Sequence, residues 1–243
     1  MRLLKTLSLA LGIVGVSVLS ILFASCGSGK AQYRVVDTIA GLPFNIDIDV
    51  NVATPVATTP TYQNVSLGEV EPASGYAKID NGSNPIVAFQ TATLTQVVAP
   101  TNLNLSSNQY TVLLLGLGAG VANNEAVVLT DNNAAPASGD GEFRIVNGAP
   151  ESPGGSVDIY LVPPGTPITG IAPDASAILY GQPSAYVSKT AATYSMIVTA
   201  QGSKIPQLTE NYALSAGQIY TVVLIDNSSG GFPGIPVLLT DVQ

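Results

Sequence analysis

The chain of 243 residues has no histidine, no tryptophan and a single cysteine, and only 10% of its residues are charged. Each shortage excludes a chemistry. Without histidine there is no Ser-His-Asp triad, no Cys-His dyad and no imidazole zinc site. With one cysteine, Cys26, no internal disulfide can form, so the fold must be held by its core. Lys and Arg number 8 against 16 Asp and Glu, a formal net charge of −8. The clustered cations that neutralise phosphates are missing, so no nucleic-acid partner is expected. Low charge does not mean disorder here. Hydrophobic residues make up 46% of the chain, the opposite of a disordered composition.

What is present begins with an address. Residues 1–5, MRLLK, form a short basic region, and residues 7–23 are uncharged and mostly apolar. Ala24 and Ser25 then precede Cys26. Small residues before a cut are what a signal peptidase accepts. The run Leu22, Ala24, Ser25, Cys26 resembles the bacterial lipobox, departing from it at Phe23, where Leu is usual. The resemblance implies a signal peptide over residues 1–25 and lipidation of Cys26. Two or more acyl chains hold a protein stably on a membrane. Residues 26–32 are then the lipidated cysteine and a polar spacer. Gly27 in place of Asp implies passage to the outer membrane if the cell is Gram-negative. The expected location is thus the bacterial cell envelope, outside the cytoplasm.

The remainder is written twice. Tyr33-Arg34-Val35-Val36 recurs as Phe143-Arg144-Ile145-Val146, and residues 45–50, NIDIDV, recur as residues 156–161, SVDIYL. Tyr76 matches Tyr186, LSSNQYTVLLL matches LSAGQIYTVVLI, and VVLTD at 127–131 matches VLLTD at 237–241. Most of these pairs stand 110 positions apart. A repeat at a fixed period signals a duplicated structural unit. The first unit spans 33–131 and the second 142–243. Between them residues 132–141 carry NNAAPASGD, a linker composition.

Inside each unit, short β-rich runs alternate with Gly, Pro and Asn turns. Residues 46, 48, 50 and 52 are apolar with polar residues between them, the period of a half-buried strand. Residues 112–115 and 221–225 are apolar on both faces, as in the middle of a sandwich. No stretch after residue 26 keeps helical spacing for three turns. The expected fold is all-β: two tandem β-sandwiches of immunoglobulin-like architecture, each with its own core and joined by a polar linker.

The openings YRVVDTIAGLPFNIDIDV and FRIVNGAPESPGGSVDIYL, the tyrosines at 76 and 186, and the LxxGQxYTVV run at 214–223 resemble the bacterial domain of unknown function numbered 4397. In the first unit Asp37-Thr38-Ile39 replaces the short Asn/His-Ala-Ser/Ala-Pro turn of that family. The resemblance implies tandem copies in a secreted or surface-anchored protein. It implies no catalytic residues.

Four candidate sites stand out, and each has a simpler reading. GLGAG at 116–120 invites a phosphate loop, but residues 121–130 read as a turn and a strand rather than a helix, so a hairpin is expected. Asn45, Asp47, Asp49 and Asn51 alternate along one strand, about 7 Å apart in pairs. Calcium needs six to eight oxygens, so that row is read as a solvated face. The 16 acids form no paired motif for sugar hydrolysis. The ten Tyr and five Phe could form a stacking platform, but Tyr110 and Tyr220 sit in apolar strands and read as core. The sequons at 64–66, 81–83, 104–106 and 227–229 read as turns. The expectation is therefore a non-enzymatic envelope lipoprotein without cofactor or metal, making structural or adhesive contacts with an envelope protein or glycan. The alternative is a ligand-binding module, for a polysaccharide above all; aromatic rings exposed on one face would favour it.

Overall fold

A computed structural model describes residues 29–55, 59–91 and 93–241. Cys26 and the signal segment lie outside the described residues. The first repeat consists of β1 (Ala31–Ala40), β2 (Ile46–Val50), β3 (Tyr62–Val65), β4 (Val70–Glu71), β5 (Ala77–Ile79), β6 (Gly82–Gln90), β7 (Gln96–Leu105), β8 (Gln109–Leu117) and β9 (Glu125–Thr130). The second consists of β10 (Asp140–Asn147), β11 (Ser156–Val162), β12 (Ala175–Leu179), β13 (Val187–Thr190), β14 (Ala192–Ala200), β15 (Pro206–Leu214), β16 (Ile219–Ile225) and β17 (Ile235–Asp241). The chain is all-β, as its alternating pattern predicts. β10 begins two residues inside the expected linker.

Each repeat is a two-sheet sandwich. In the first, an inner sheet runs β4-β1-β8-β9, with β5 also on β1, and an outer sheet runs β3-β2-β6-β7. The second has β13-β10-β16-β17 and β12-β11-β14-β15. The pairs β1–β8 and β10–β16 are parallel, and all other pairs are antiparallel. Parallel neighbours cannot be joined by a tight hairpin. The intervening chain instead builds the outer sheet and returns, which is what makes two layers. The likeness to immunoglobulin domains lies in the sandwich; the strand order is this protein's own.

Alternation decides what each strand buries. On β1, Tyr33, Val35 and Ile39 point into the core of the first repeat, with Ile48, Ile86 and Val112 from other strands. The second repeat has Phe143, Ile145, Ile159, Met196 and Val222 at the positions of Tyr33, Val35, Ile48, Ile86 and Val112. A third apolar cluster belongs to both. Val36, Leu113, Leu115 and Leu129 of the first inner sheet pack with Val146, Val223, Ile225, Val237 and Leu239 of the second. The two inner sheets therefore lie face to face, and the molecule is a stack of four layers.

This corrects the expectation that only a polar linker joins the repeats. The strands apolar on both faces, β8 and β16, are so because one face meets their own outer sheet and the other meets the second repeat. Parting the repeats would return nine aliphatic side chains to water, each contributing roughly 1.5–3 kcal/mol when fully buried.

Candidate functional site

The features built with most polar material lie where the inner sheets meet. Arg34 on β1 and Arg144 on β10 are 2% and 3% exposed. Arg34 Nε donates to Thr111 Oγ1 at 2.9 Å, and the Thr111 hydroxyl donates to Asp131 Oδ2 at 2.7 Å. Asp131 accepts from Arg144 Nη2, of the other repeat. Arg144 Nε donates to Thr221 Oγ1 at 3.0 Å, Thr221 donates to Asp241 at 3.1 Å, and Asp241 accepts from Arg34 Nη2. The six residues close a ring that crosses the junction twice. Each Arg also donates to a carbonyl across the junction, Arg34 to Thr240 and Arg144 to Thr130, both at 2.9 Å.

Tyr76 and Tyr186 complete the ring. Their planes lie under Arg34 and Arg144, 4.8 and 4.9 Å from ring centre to guanidinium carbon. Their hydroxyls donate to Asp131 at 2.7 Å and Asp241 at 3.2 Å. The linker is tied in as well, since the Asn132 amide donates to the Tyr186 hydroxyl at 3.0 Å. Burial pushes the Asp241 carboxyl upward, and Arg34 opposes it. Two guanidinium and two carboxylate groups balance in charge, which is the condition for burying any of them. Every member has its counterpart 110 positions away, so the joint is two-fold symmetric in its residues. The recurrence of Arg and Asp is visible in the sequence. That each Arg serves the other repeat's Asp is not.

The acidic strand is not the solvated face expected. Asp47 and Asp49 are 6% and 1% exposed, and Asp158, the counterpart of Asp47, is 4% exposed. Asp47 Oδ1 accepts the Asn64 amide and the Thr91 hydroxyl, both at 2.8 Å. Asp158 accepts the amides of Ala177 at 2.9 Å and Gly202 at 2.8 Å. Both carboxylates stand where pairing with the next strand slips register, between Ile46 and Ile48 and between Val157 and Ile159. A bulge strands backbone donors, and buried donors must find acceptors. The carboxylates supply them. Asn45 is half-buried and Asn51 is exposed at the strand end.

A cleft opens on the junction. It has a volume of about 530 Å³, with Asp37, Phe44, Ser66 and Leu67 from the first repeat and Ser228 and Ile235 from the second. Asp37, on β1, is 2% exposed. Its Oδ1 accepts the Ile39 amide at 3.0 Å, and Oδ2 has no hydrogen-bond partner among the described residues. Burial raises this carboxyl to about 7; the Ile39 amide opposes the rise and the charge of Glu69 adds to it. The counterpart in the second repeat is Asn147, whose amide is used up on Ser152, the Ile178 carbonyl and the Ala149 amide. In the sequence Asp37 gives no signal of its own, because it merely stands in for a turn residue.

The other candidates resolve simply. Residues 116–120 run from the last two residues of β8 into the turn before β9, and a Cβ on Gly116 would stand 1.8 Å from Asn124 Oδ1. Asn124 closes that turn by donating to the Gly118 and Val97 carbonyls at 2.9 and 3.0 Å. No phosphate cradle exists there. Among the described residues no aromatic ring is exposed. Tyr110 is 6% exposed, with its hydroxyl against Ser106 at 2.8 Å, and Tyr220 is half-buried, packed against Phe143.

No family model matches the chain, and no curated protein matches it. Among solved structures it is similar to the Bacillus anthracis TIE protein, at 10% identity and a TM-score of 0.24, over 81% of this chain and 34% of that one. The chain thus spans about a third of that protein. A family 26 carbohydrate-binding module of Eubacterium rectale Amy13K, solved with maltoheptaose, is 8% identical with a TM-score of 0.27, over 88% and 98%. The pneumococcal glycogen-degrading virulence factor SpuA is 11% identical with a TM-score of 0.26, over 82% and 21%. Superpositions this loose carry no argument about what the chain does, and its fold rests on its own strands.

Proposed function

We propose that the protein is an exported, non-enzymatic lipoprotein, held on a bacterial cell envelope through Cys26, in which two β-sandwiches act as one structural or adhesive unit. The observation that supports this reading is the junction. Both buried arginines, both of their carboxylates and two of the ten tyrosines are committed to joining the repeats. That arrangement favours a rigid body able to transmit force over a mobile pair of domains around a reaction centre. The resemblance of the repeats to the domain of unknown function numbered 4397 accords with a surface-anchored location. Labelled palmitate entering the wild type and not Cys26→Ser is the expected result; equal label in both removes the anchor. Crosslinking in living cells should capture an envelope protein or glycan, and hydrolysis of a polysaccharide by the purified chain would refute the non-enzymatic reading.

The polysaccharide-binding alternative depends on exposed rings, and the described tyrosines and phenylalanines are buried or half-buried. Retention of the purified chain on immobilised polysaccharide would reinstate it.

A further inference from the structure

A carboxyl that keeps one oxygen free of protein donors at the wall of a cleft can take a donor from a ligand. Asp37 is such a group, and it lines a cleft whose walls come from both repeats. The second repeat shows that the fold does not require it, because Asn147 fills the same strand position with every amide bond made internally. The fold therefore leaves the acid of the first repeat without a structural task for half of its carboxyl.

The groups still available in the cleft determine the chemistry of its occupant. A guanidinium fork is best met by two carboxylate oxygens free of other donors, and Oδ1 already accepts from the Ile39 amide. Calcium needs six to eight oxygens, and among the described residues Asp37 is the only carboxylate lining the cleft. A sugar would call for an exposed ring to stack on, and the cleft offers only the half-buried Phe44. An ammonium group is compact and carries three donors. One can meet Asp37 Oδ2, and Asn45, Ser66 and Ser228 line the same cleft with further oxygens. Leu67 and Ile235 offer an apolar wall for an alkyl stem, and Ile235 is 47% exposed. The charge of Glu69 nearby and the net charge of −8 both favour a cation.

We propose that this cleft binds a primary alkylammonium group, with Asp37 as its counter-ion. The proposal stands independently of the lipid anchor and of the structural or adhesive role. The test titrates n-pentylamine into the purified full-length chain at pH 8, following the methyl resonances of Leu67 and Ile235, with 1-pentanol as the neutral comparison. The amine should bind about tenfold or more tightly than the alcohol, as a charge-assisted hydrogen bond implies. Asp37→Asn, the residue the second repeat already uses, should bring the two probes to equal affinity without loss of fold. Ser228→Trp, at the exposed rim, should weaken both. Equal binding of the two probes to the wild type, or a preference for amine that survives Asp37→Asn, would overturn the proposal. Nα-acetyl-lysine methylamide distinguishes the source. Binding equal to that of pentylamine indicates a partner's lysine side chain, and binding of pentylamine alone indicates a small free amine; either result supports an ammonium site.

Discussion

At the end of β8 the first repeat has Gly116, with Asn124 opposite it just before β9; at the same two positions the second repeat has Asp226 and Gly234. In the first, the side chain of Asn124 occupies the space a Cβ on Gly116 would need. In the second the polar group comes from the other strand: Asp226 Oδ2 accepts the Glu151 amide at 3.1 Å, and Gly234 lies against the Ile225 carbonyl, 1.8 Å from where a Cβ would be. Each hairpin thus holds one polar side chain and one glycine, supplied from opposite sides. What crowds the glycine differs: the Asn124 side chain at Gly116, and the backbone of Ile225 at Gly234. Each leaves one side-chain oxygen buried without a hydrogen-bond partner among the described residues, Asn124 Oδ1 and Asp226 Oδ1, and burial pushes the Asp226 carboxyl upward. Where the repeats touch each other, by contrast, they are nearly identical in role: Arg, Thr, Asp and Tyr recur at every position of the ring. The polar residues of the ring have been kept in both repeats, whereas the glycine and polar positions of these hairpins have not.

The largest effect should come from cutting that joint. Residues 142–243 made alone would expose Val146, Val223, Ile225, Val237 and Leu239 and leave Arg144 and Asp241 without their partners. A second copy offers the same residues in the same arrangement, so the half should form a two-fold dimer that falls apart and unfolds on dilution. Sedimentation reads this directly. A stable monomer would show that the repeats are equivalent as folds but not as halves of one interface.

Removing one arginine is the next largest perturbation. Arg34→Ala and Arg144→Ala should each lose about 3–5 kcal/mol in denaturant unfolding, because each leaves a buried carboxylate unpaired. Strict symmetry predicts equal losses. Arg34 also lies 3.7 Å from Asp131, a second ion pair that Arg144 lacks among the described residues, so Arg34→Ala should be the more damaging. The reverse order would break the assignment of roles within the ring.

Asp37 against Asn147 supplies a smaller, pH-dependent difference. The folded carboxyl titrates at about 7 against an ordinary 3.8, so between these values the folded state holds a proton that the unfolded chain has released. The stability this contributes is complete below the ordinary value and is lost as pH rises through 7. Asp37→Asn should therefore match the wild type near pH 4 and exceed it at pH 8 by on the order of 2–4 kcal/mol. Parallel melting curves at the two pH values would deny the difference.

The smallest expected effect concerns the two bulges. The residue donating its amide to the buried Asp has a left-handed backbone in both repeats, φ 58 at Asn64 and φ 54 at Ala177. Asn tolerates that region and Ala does not. Ala177→Gly should raise stability by about 0.5–1 kcal/mol, while Asn64→Gly should gain less. Equal gains would mean that the Asn side chain contributes nothing to the turn.

The duplication, the all-β class and the strands around 46–52, 112–115 and 221–225 are legible in the residues alone, because alternation and turn residues are local signals read over a few positions. Even the joint is there in outline: apolar residues on both faces of 112–115 and 221–225, and an Arg, a Tyr and an Asp recurring 110 positions apart. Which partner each of these residues meets is not written in the chain. A strand apolar on both faces looks the same whether the second face is covered by its own sheet or by another repeat, and an arginine carries no mark of the aspartate it will pair with. The alternation of 45–51 likewise reads as polar residues turned to water, whereas the carboxylates in that row are turned inward to stranded amides at a register slip. Register slips arise from pairing between strands distant in the chain, and burial of a charge is decided by the sum of its neighbours. Both exist only once the sheets have assembled, and so the crossed ring, the inward aspartates and the cleft at Asp37 belong to the tertiary structure.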